Sequence, residues 1–442
     1  MRYTNFALAV LTAAVLSACG GSDDNNNFAA PAKPKFASQV TFGDSLSDVG
    51  TYQVGAVAQL GGGKYTINGA AGKNWTELLA ATLALSAPCP AQQGLNGTLP
   101  GFNVPVTNNL NCTNYAQGGA RVTNPAGPGN IAYSPLGQLT VPVSLQIANH
   151  LSRNGGKFSG TEIVTVMAGG NDVLQLLSNL TAAANAAGAT AYGNSLVPKL
   201  ASGATDPATA AAAIGTAFKT ELATSGNLTT ATQRAIGTAA VQPGNSAVAS
   251  PAVHGPYIAA AQAEATAAGN TYAQTNGPGL VTLMSTAGAE LGALVRTELV
   301  AKGAKYVVLN NLPDVASAPA SNTPTTTAAQ RTLIAGMVSA FNTALRANID
   351  GLESNVLYVD LYSVSIDQIA NPSKYGLTNV TSPACGTNQL GGTSLVCNAT
   401  NLIAGVNPTS TYLFADGVHP TPYGNTLIAK YVTEQLTARG WL

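Results

Sequence analysis

Two short segments at distant positions in the chain carry the residue types of a nucleophilic active site. Residues 42–50 read FGDSLSDVG, with Ser45 directly after an apolar run, and residues 416–420 read DGVHP, with Asp416 three residues before His419. A serine hydroxyl is a weak nucleophile unless a base removes its proton. His419 can be that base, and Asp416 can hold the imidazole in the required tautomer. These residues predict acyl transfer chemistry.

The elements that position these residues follow from the pattern of apolar runs. Apolar, β-branched runs bounded by turn residues predict strands at 39–42, 163–167, 305–309 and 356–361, with a shorter candidate at 111–115. Helical patterns lie at 74–83, 143–151, 282–302, 328–349 and 422–439. Strands that alternate with helices predict an α/β fold, flavodoxin-like, with three layers (α/β/α) and a mostly parallel central sheet.

Active sites in such sheets lie outside the carboxyl ends of the strands. Ser45 falls in such a place, just past the first predicted strand. The turn GGND at 169–172, which contains Asn171, follows the strand predicted at 163–167. We therefore expect both segments at the same edge of the sheet.

The bulk composition argues against one class of partner. The 442 residues include 19 basic and 19 acidic side chains, so the formal net charge is zero, and charged residues make up only 9% of the chain. No basic patch stands out, so nucleic acid is not an expected partner. Hydrophobic residues make up 45% of the chain and allow a sizeable core. We expect the protein to act as a monomer.

The N-terminal residues have the pattern of an export signal. A positively charged start precedes a short apolar run at 6–16, and small residues then precede Cys19. A run this short is typical of a signal-peptide core and not of a membrane span. The arrangement resembles a bacterial lipoprotein signal at 1–19, in which Cys19 is lipidated; the alternative is an ordinary secretory signal with Cys19 incidental.

The residues after the signal predict a tether and a location. The polar stretch at 20–36 fits a flexible linker between a membrane and a folded domain. In the lipoprotein pattern an Asp directly after the cysteine favours retention at the inner membrane, and Gly20 stands there instead. We expect a bacterial cell-envelope protein whose lipidated N-terminus binds the outer membrane, or a secreted protein.

The remaining four cysteines support export. They are Cys89, Cys112, Cys385 and Cys397, and four cysteines allow three pairings. Sequence proximity favours Cys89–Cys112 and Cys385–Cys397, each closing a local loop in an oxidising compartment. A metal site is the competing interpretation, but no Cys-x-x-Cys spacing and no paired histidine occurs. No metal is expected.

Four separated blocks resemble those of the GDSL family of the SGNH hydrolase superfamily. They are FGDSLSD at 42–48, NYAQGGA at 114–120, GGND at 169–172 and DGVHP at 416–420, in the order that the family has them. Each block is weak alone, whereas the ordered set is specific. The resemblance implies an SGNH hydrolase domain over 37–442, and the form of the blocks is similar to the bacterial branch that contains phospholipases and haemolysin-like acyltransferases.

The resemblance also implies an oxyanion hole beside the triad. Its donors would be the backbone N–H of Ser45, a backbone N–H of the second block and the side-chain amide of Asn171. The glycine of the second block is assigned to Gly119, with Gly118 as the fallback because the doubled glycine leaves the register open. Such donors are aimed at the charge that develops on the tetrahedral intermediate. No cofactor is implied.

The function that these residues imply is hydrolysis of carboxylic esters through an acyl-enzyme on Ser45. The resemblance favours lipid or phospholipid acyl esters as substrates. Polysaccharide O-acetyl esters or acyl transfer are the alternatives, and a non-catalytic surface-binding lipoprotein is an alternative of a different class.

An Ala/Thr/Gly-rich insertion at about 181–275 interrupts the alternation of strands and helices. Near Asn171, it could form a lid or a substrate-binding wall. It could equally be a helical excursion without a direct role. The sequence leaves both interpretations open.

Overall fold

The structure, a computed structural model, describes residues 33–442. Cys19, the signal peptide and most of the expected tether lie outside the described residues. The strands are β1 (Gln39–Gly43), β2 (Gln92–Asn96), β3 (Asn103–Asn108), β4 (Ile163–Met167), β5 (Tyr306–Asn310) and β6 (Val356–Val359). The α-helices are α1 (Gly55–Gln59), α2 (Trp75–Thr82), α3 (Val143–Arg153), α4 (Gly170–Ala201), α5 (Pro207–Ser225), α6 (Leu228–Ala240), α7 (Pro251–Leu294), α8 (Ala328–Asn348), α9 (Leu361–Ala370) and α10 (Pro422–Ala438).

The central sheet has four parallel strands in the order β1-β4-β5-β6. Every residue of β1 and of β4 is buried, as expected for strands covered on both faces. The prediction of an α/β fold with a parallel central sheet is therefore confirmed, and the fold is consistent with that of SGNH hydrolases. The short candidate strand at 111–115 is not a strand; its Asn114 forms a single parallel bridge with Thr41 of β1.

The alternation of side chains along the strands divides the core into two layers. One face of the sheet packs against α3, α4, α7 and α8, and its cluster includes Phe42, Val166, Leu309, Leu291 and Phe341. The other face packs against α2, α9 and α10, and its cluster includes Met167, Val308, Trp75, Leu361 and Val432. Successive residues of a strand point to opposite faces, so β-branched runs without polar breaks can fill both layers.

Two predicted boundaries are wrong for local reasons. The strand predicted at 356–361 ends at Val359, because the side chain of Asp360 accepts the Ser363 N–H at 3.1 Å and starts α9. The helix predicted at 282–302 begins much earlier, at Pro251, where the Ser250 side chain accepts the Ala252 N–H. The sequence analysis also missed the antiparallel hairpin of β2 and β3, whose second strand is mostly exposed and contains Pro105.

The Ala/Thr/Gly-rich insertion consists of helices joined by short turns. It contains most of α4, all of α5 and α6, and the first half of α7. Its helices enclose a separate core that includes Leu196, Leu200, Ile214 and Phe218. Small residues allow the long helices to approach closely, since a Cβ at Gly188 would lie 2.9 Å from the Ala265 carbonyl oxygen.

One helix in the described part of the chain passes a test of length and apolar composition for a membrane span. It is Pro251–Val300, which comprises α7 and the π-helical turn that continues it. A core helix of a soluble protein passes the same test, and α4 and α8 pack along this one.

Because the insertion has a core of its own, we expect that it can be destabilised without destabilising the central sheet. Phe218→Ala removes an aromatic side chain that is 3% exposed and should cost the insertion about 3 kcal/mol through the cavity it leaves. Hydrogen exchange followed by mass spectrometry should then show faster exchange in α5 and α6 and unchanged exchange in β4 and β5. Equal acceleration in the sheet would show that the two cores unfold as one.

Candidate active site

The end of β1 is held in place so that Ser45 follows at the carboxyl edge of the sheet. The side-chain amide of Gln146 on α3 accepts the Gly43 N–H and donates to the Gly43 carbonyl, both at 2.8 Å. A Cβ at Gly43 would lie 2.4 Å from the carbonyl oxygen of Met167, the last residue of β4. Glycine therefore allows the close approach of the two strand ends.

His419 links Ser45 to Asp416. Its Nε2 lies 2.8 Å from Ser45 Oγ, and its Nδ1 lies 2.8 and 2.9 Å from the two carboxylate oxygens of Asp416. A proton on Nδ1 donates to the carboxylate and leaves the lone pair of Nε2 facing the hydroxyl, which is the tautomer that a general base requires. The structure thus joins a serine and a histidine that are 374 positions apart in the sequence.

The carboxylate of Asp416 is buried and strongly stabilised as an anion. Its Oδ1 accepts the N–H groups of Val418 and His419 at 3.0 and 2.9 Å, and its Oδ2 accepts the Ser394 N–H at 2.7 Å. Burial by itself would raise the pKa of Asp416, but the adjacent imidazole and these hydrogen bonds outweigh it and hold that pKa well below its usual range. Asp416 is therefore a fixed negative charge behind the imidazole.

The geometry distinguishes the two glycines of the second block. The Gly118 N–H donates to Asp48 Oδ2 at 2.9 Å and is therefore already satisfied. The Gly119 N–H makes no hydrogen bond within residues 33–442. Gly119 has a φ of +79°, and a Cβ there would lie 2.2 Å from the Pro128 carbonyl oxygen. The structure favours Gly119 over Gly118 as an oxyanion donor.

Asn171 lies next to the loop that carries Gly119. It is the second residue of α4, and its Nδ2 donates to the Ala120 carbonyl at 2.9 Å, which leaves the second amide hydrogen available. Asn171, Ser45 and His419 line the same cavity. The positive end of the α4 dipole adds to a local field that favours negative charge.

An ion pair fixes the same loop to α4 one residue further on. The Arg121 guanidinium lies 2.9 Å from Asp172 Oδ1, and the Val122 N–H donates to Asp172 Oδ2 at 3.1 Å. Both side chains of the pair are largely buried. The second and third sequence blocks are therefore joined by the hydrogen bond between Asn171 and Ala120, and Arg121 and Val122, which follow the second block, both bind Asp172.

A mostly apolar cavity of about 120 Å³ opens beside the triad. Its apolar lining comes mainly from the turn after β5, from α9, from the segment before α10 and from α10, and includes Leu312, Val315, Val364, Ile369, Phe414 and Ile428. No residue of the 181–275 insertion lines it. Of the two interpretations of the insertion, the structure favours the one without a direct role at this cavity.

Asp44 is a second buried carboxyl group in the wall of the cavity. Its Oδ1 accepts the Leu46 N–H at 3.0 Å and so holds the turn around Ser45. Burial raises the pKa of Asp44 to about 7, although the Leu46 N–H and the charge of His419 act in the opposite direction. Asp44 therefore titrates near neutral pH, unlike Asp416.

Tyr65 is a site residue that the sequence analysis missed. Its ring packs against the His419 imidazole with the centroids 4.7 Å apart and the ring planes tilted by 35°, and its hydroxyl accepts a hydrogen bond of 2.7 Å from Gln138 Nε2. A Cβ at Gly118 would lie 2.1 Å from the Tyr65 hydroxyl oxygen, so Tyr65 also bounds the oxyanion loop. No spacing pattern marks it, because these contacts are made between distant segments.

The four described cysteines form the two disulfides that sequence proximity favours, Cys89–Cys112 and Cys385–Cys397. They are therefore not metal ligands. Among residues 33–442, no group of three or more His, Cys, Asp or Glu side chains is placed to hold a metal ion.

The arrangement of Ser45, His419 and Asp416 is the one that serine hydrolases use on several unrelated folds. Comparison with known proteins indicates which family of serine hydrolases this chain is similar to. Residues 282–432 match the family described as GDSL-like Lipase/Acylhydrolase, a span that includes Asp416 and His419 but not Ser45.

Individual relatives agree with this match. The chain is 32% identical over 148 residues to the GDSL esterase/lipase APG of Arabidopsis thaliana, which covers 30% of this chain and 39% of that protein. It is 32% identical over 158 residues to an uncharacterized protein in the trpE-trpG intergenic region of Pseudomonas putida, covering 34% of this chain and 25% of that protein. The chain therefore spans less than half the length of these relatives. Over these parts of the chain, the matches show similarity to GDSL-type lipases and acylhydrolases.

The raised pKa of Asp44 predicts a pH dependence of stability. The folded state holds this proton up to about pH 7, whereas the unfolded chain releases it near pH 3.8, so Asp44 lowers the free energy of unfolding progressively as pH rises between these values. Asp44→Asn removes the titration and keeps an acceptor for Leu46. Urea unfolding should show that the variant gains stability relative to the parent between pH 4.5 and 7.5 by a few kcal/mol, at about 1.4 kcal/mol per pKa unit. A constant difference between the two proteins across this range would contradict the assignment.

Proposed function

We propose that this protein is a carboxylic ester hydrolase that works through an acyl-enzyme on Ser45. The observation that carries the proposal is the position of His419, whose two ring nitrogens contact Ser45 Oγ and the Asp416 carboxylate at 2.8 Å each. That chain of contacts supplies a nucleophile, a base and a fixed anion behind the base.

The reaction follows from these contacts. His419 Nε2 takes the Ser45 hydroxyl proton as Oγ attacks the ester carbonyl carbon, and the carbonyl oxygen becomes an oxyanion. The imidazolium then gives its proton to the leaving alcohol as the carbon–oxygen bond breaks, which leaves an acyl group on Ser45. Water, deprotonated by His419, then attacks the acyl carbon. The bond between that carbon and Ser45 Oγ breaks, the imidazolium returns the proton to Oγ, and the acid is released. Asp416 stabilises the imidazolium in both steps.

The oxyanion would be met by the N–H groups of Ser45 and Gly119 and by the amide of Asn171. Neither backbone N–H makes a hydrogen bond within residues 33–442, so both are available. Loss of one such donor typically costs a factor of about 10²–10³ in kcat.

The substrates that fit this site best are esters with an extended acyl chain. The cavity beside Ser45 is lined mainly by aliphatic side chains, including Leu312, Val364 and Ile369, which suits the hydrocarbon chain of a lipid or phospholipid. Esters of acetate on polysaccharides would leave this surface uncovered. Acyl transfer to an alcohol other than water uses the same acyl-enzyme and is the second candidate activity.

We further propose that the protein is a monomer held in the bacterial envelope by a lipid on Cys19, at the outer membrane, or is secreted. The apolar run before Cys19 and the polar stretch after it support this location. The two disulfides support an oxidising compartment.

The first test is serine-dependent turnover. Ser45→Ala keeps the backbone N–H and removes the nucleophile, so hydrolysis of p-nitrophenyl esters should fall by a factor of about 10⁴ or more while the melting temperature stays near that of the parent. The ester series should run from acetyl to palmitoyl. Equal rates in variant and parent would overturn the proposal.

The chain-length preference can be tested by filling the cavity. Val364 on α9 lines it, whereas Ile366 on the same helix is 41% exposed and does not. Val364→Phe should lower kcat/KM for long acyl esters at least tenfold and leave acetyl ester hydrolysis within about twofold, because only the long chain needs the space. Ile366→Phe is the matched control and should change neither. A uniform loss over all chain lengths in Val364→Phe would argue against this cavity as the acyl site.

A further inference from the structure

The segment that carries Asp416 is held by a second loop, residues 385–397, which the Cys385–Cys397 disulfide closes. At one end of this loop the Cys385 N–H donates to the Ala415 carbonyl at 2.8 Å, directly before Asp416. At the other end the Ser394 N–H donates to Asp416 Oδ2 at 2.7 Å. The loop therefore contacts both the backbone and the carboxylate of the triad acid.

The Ser394 N–H has a position that the other donors to Asp416 lack. The Val418 and His419 N–H groups belong to the turn that Asp416 itself begins, so they hold the carboxylate relative to its own segment. Within residues 33–442, Ser394 provides the one backbone N–H to this carboxylate that comes from another segment. The Ser394 N–H therefore determines where Asp416 Oδ2 lies relative to the rest of the domain.

Asn68 binds the end of the loop that contains Ser394 and Cys397. The Asn68 N–H donates to the Cys397 carbonyl at 2.7 Å, and its side-chain amide lies 3.0 Å from the carbonyl oxygens of both Ser394 and Cys397. Asn68 is 7% exposed and Cys397 is fully buried. The disulfide joins this anchored end to Cys385, and so connects the two contacts with the Asp416 segment.

We propose that the disulfide-closed loop 385–397 is a positioning element of the active site, with the Ser394 N–H as its contact with Asp416. It acts through Asp416 and does not touch the substrate. By fixing Oδ2 it fixes the Nδ1 hydrogen bond of His419, and therefore the direction of Nε2 towards Ser45. The turnover measurements rest on the proposed hydrolase function, whereas the spectroscopic measurement does not.

Ser394 allows the contact to be removed with a matched control. It is the first residue of the 3-10 turn Ser394–Val396, and Thr393 before it has φ −62° and ψ 142°, both of which are compatible with proline at position 394. Ser394→Pro deletes the N–H. Ser394→Ala keeps the N–H and removes only a hydroxyl that is buried without a hydrogen-bond partner.

We expect Ser394→Pro to lower kcat for p-nitrophenyl esters at least tenfold with KM within about twofold, and Ser394→Ala to match the parent. We expect the proton between His419 Nδ1 and Asp416 to give a far-downfield NMR resonance in the parent, and this resonance should shift or disappear in the proline variant only. A folded Ser394→Pro variant with parental kcat and a parental resonance would overturn the proposal.

The disulfide can be tested in the same way, which also covers a proline variant that fails to fold. Cys385→Ser with Cys397→Ser opens the loop of 12 positions, and Cys89→Ser with Cys112→Ser opens one of 23, whose loss should lower the melting temperature at least as much. The first pair should lose turnover and the downfield resonance well below its melting temperature. The second pair should keep both.

The outcomes separate the two proposals. Loss of turnover in both cysteine pairs in proportion to their melting temperatures would reduce the loop to general stability and overturn the inference. If the parent itself shows no Ser45-dependent turnover, the proposed function fails, and the NMR resonance in the four variants still decides whether the loop positions Asp416.

Discussion

The buried charge of Asp416 is the constraint on which the rest of the site depends. A carboxylate out of water is costly unless it is paired and hydrogen-bonded, and here an imidazole and three backbone N–H groups meet it. Satisfying that charge fixes the tautomer of His419 and aims its Nε2 at Ser45. One requirement thus explains the turn at 416–419, the disulfide-closed loop 385–397 and Asn68. The protein must supply the hydrogen bonds that water would give to an exposed carboxylate.

The sheet supplies the other half of the geometry. Because β1 and β4 are parallel neighbours, the residues that follow them lie at one edge of the sheet. Ser45 and Asn171 therefore line the same cavity. Polar contacts then fix the oxyanion loop from two sides, with Asp48 binding Gly118 and the α4 terminus binding Ala120 and its neighbour. Several polar residues of the sequence blocks thus hold this loop in place.

The helices of the insertion pack differently from the helices that cover the sheet. Its helices contain few large apolar residues, and close backbone approach at small residues such as Gly188 adds to the packing of those side chains. It has a core of its own around Phe218 and leaves the apolar cavity beside Ser45 to the turns and helices of the hydrolase core. Substitutions in the insertion therefore do not alter the lining of this cavity directly.

The parallel α/β fold, the favoured disulfide pairs and the residue types able to form a triad could all be predicted from the sequence, because apolar runs, short cysteine spacings and the four blocks are local signals. It misjudged the start of α7, whose first half has no apolar periodicity. The difference between the Gly118 and Gly119 N–H groups, and the positions of Tyr65 and Ser394, became visible in the folded protein alone. These features depend on a ring–ring contact and on single backbone N–H groups whose surroundings come from distant parts of the chain. A backbone N–H is the same for nearly every residue type, so the sequence carries no mark of which one the fold will use.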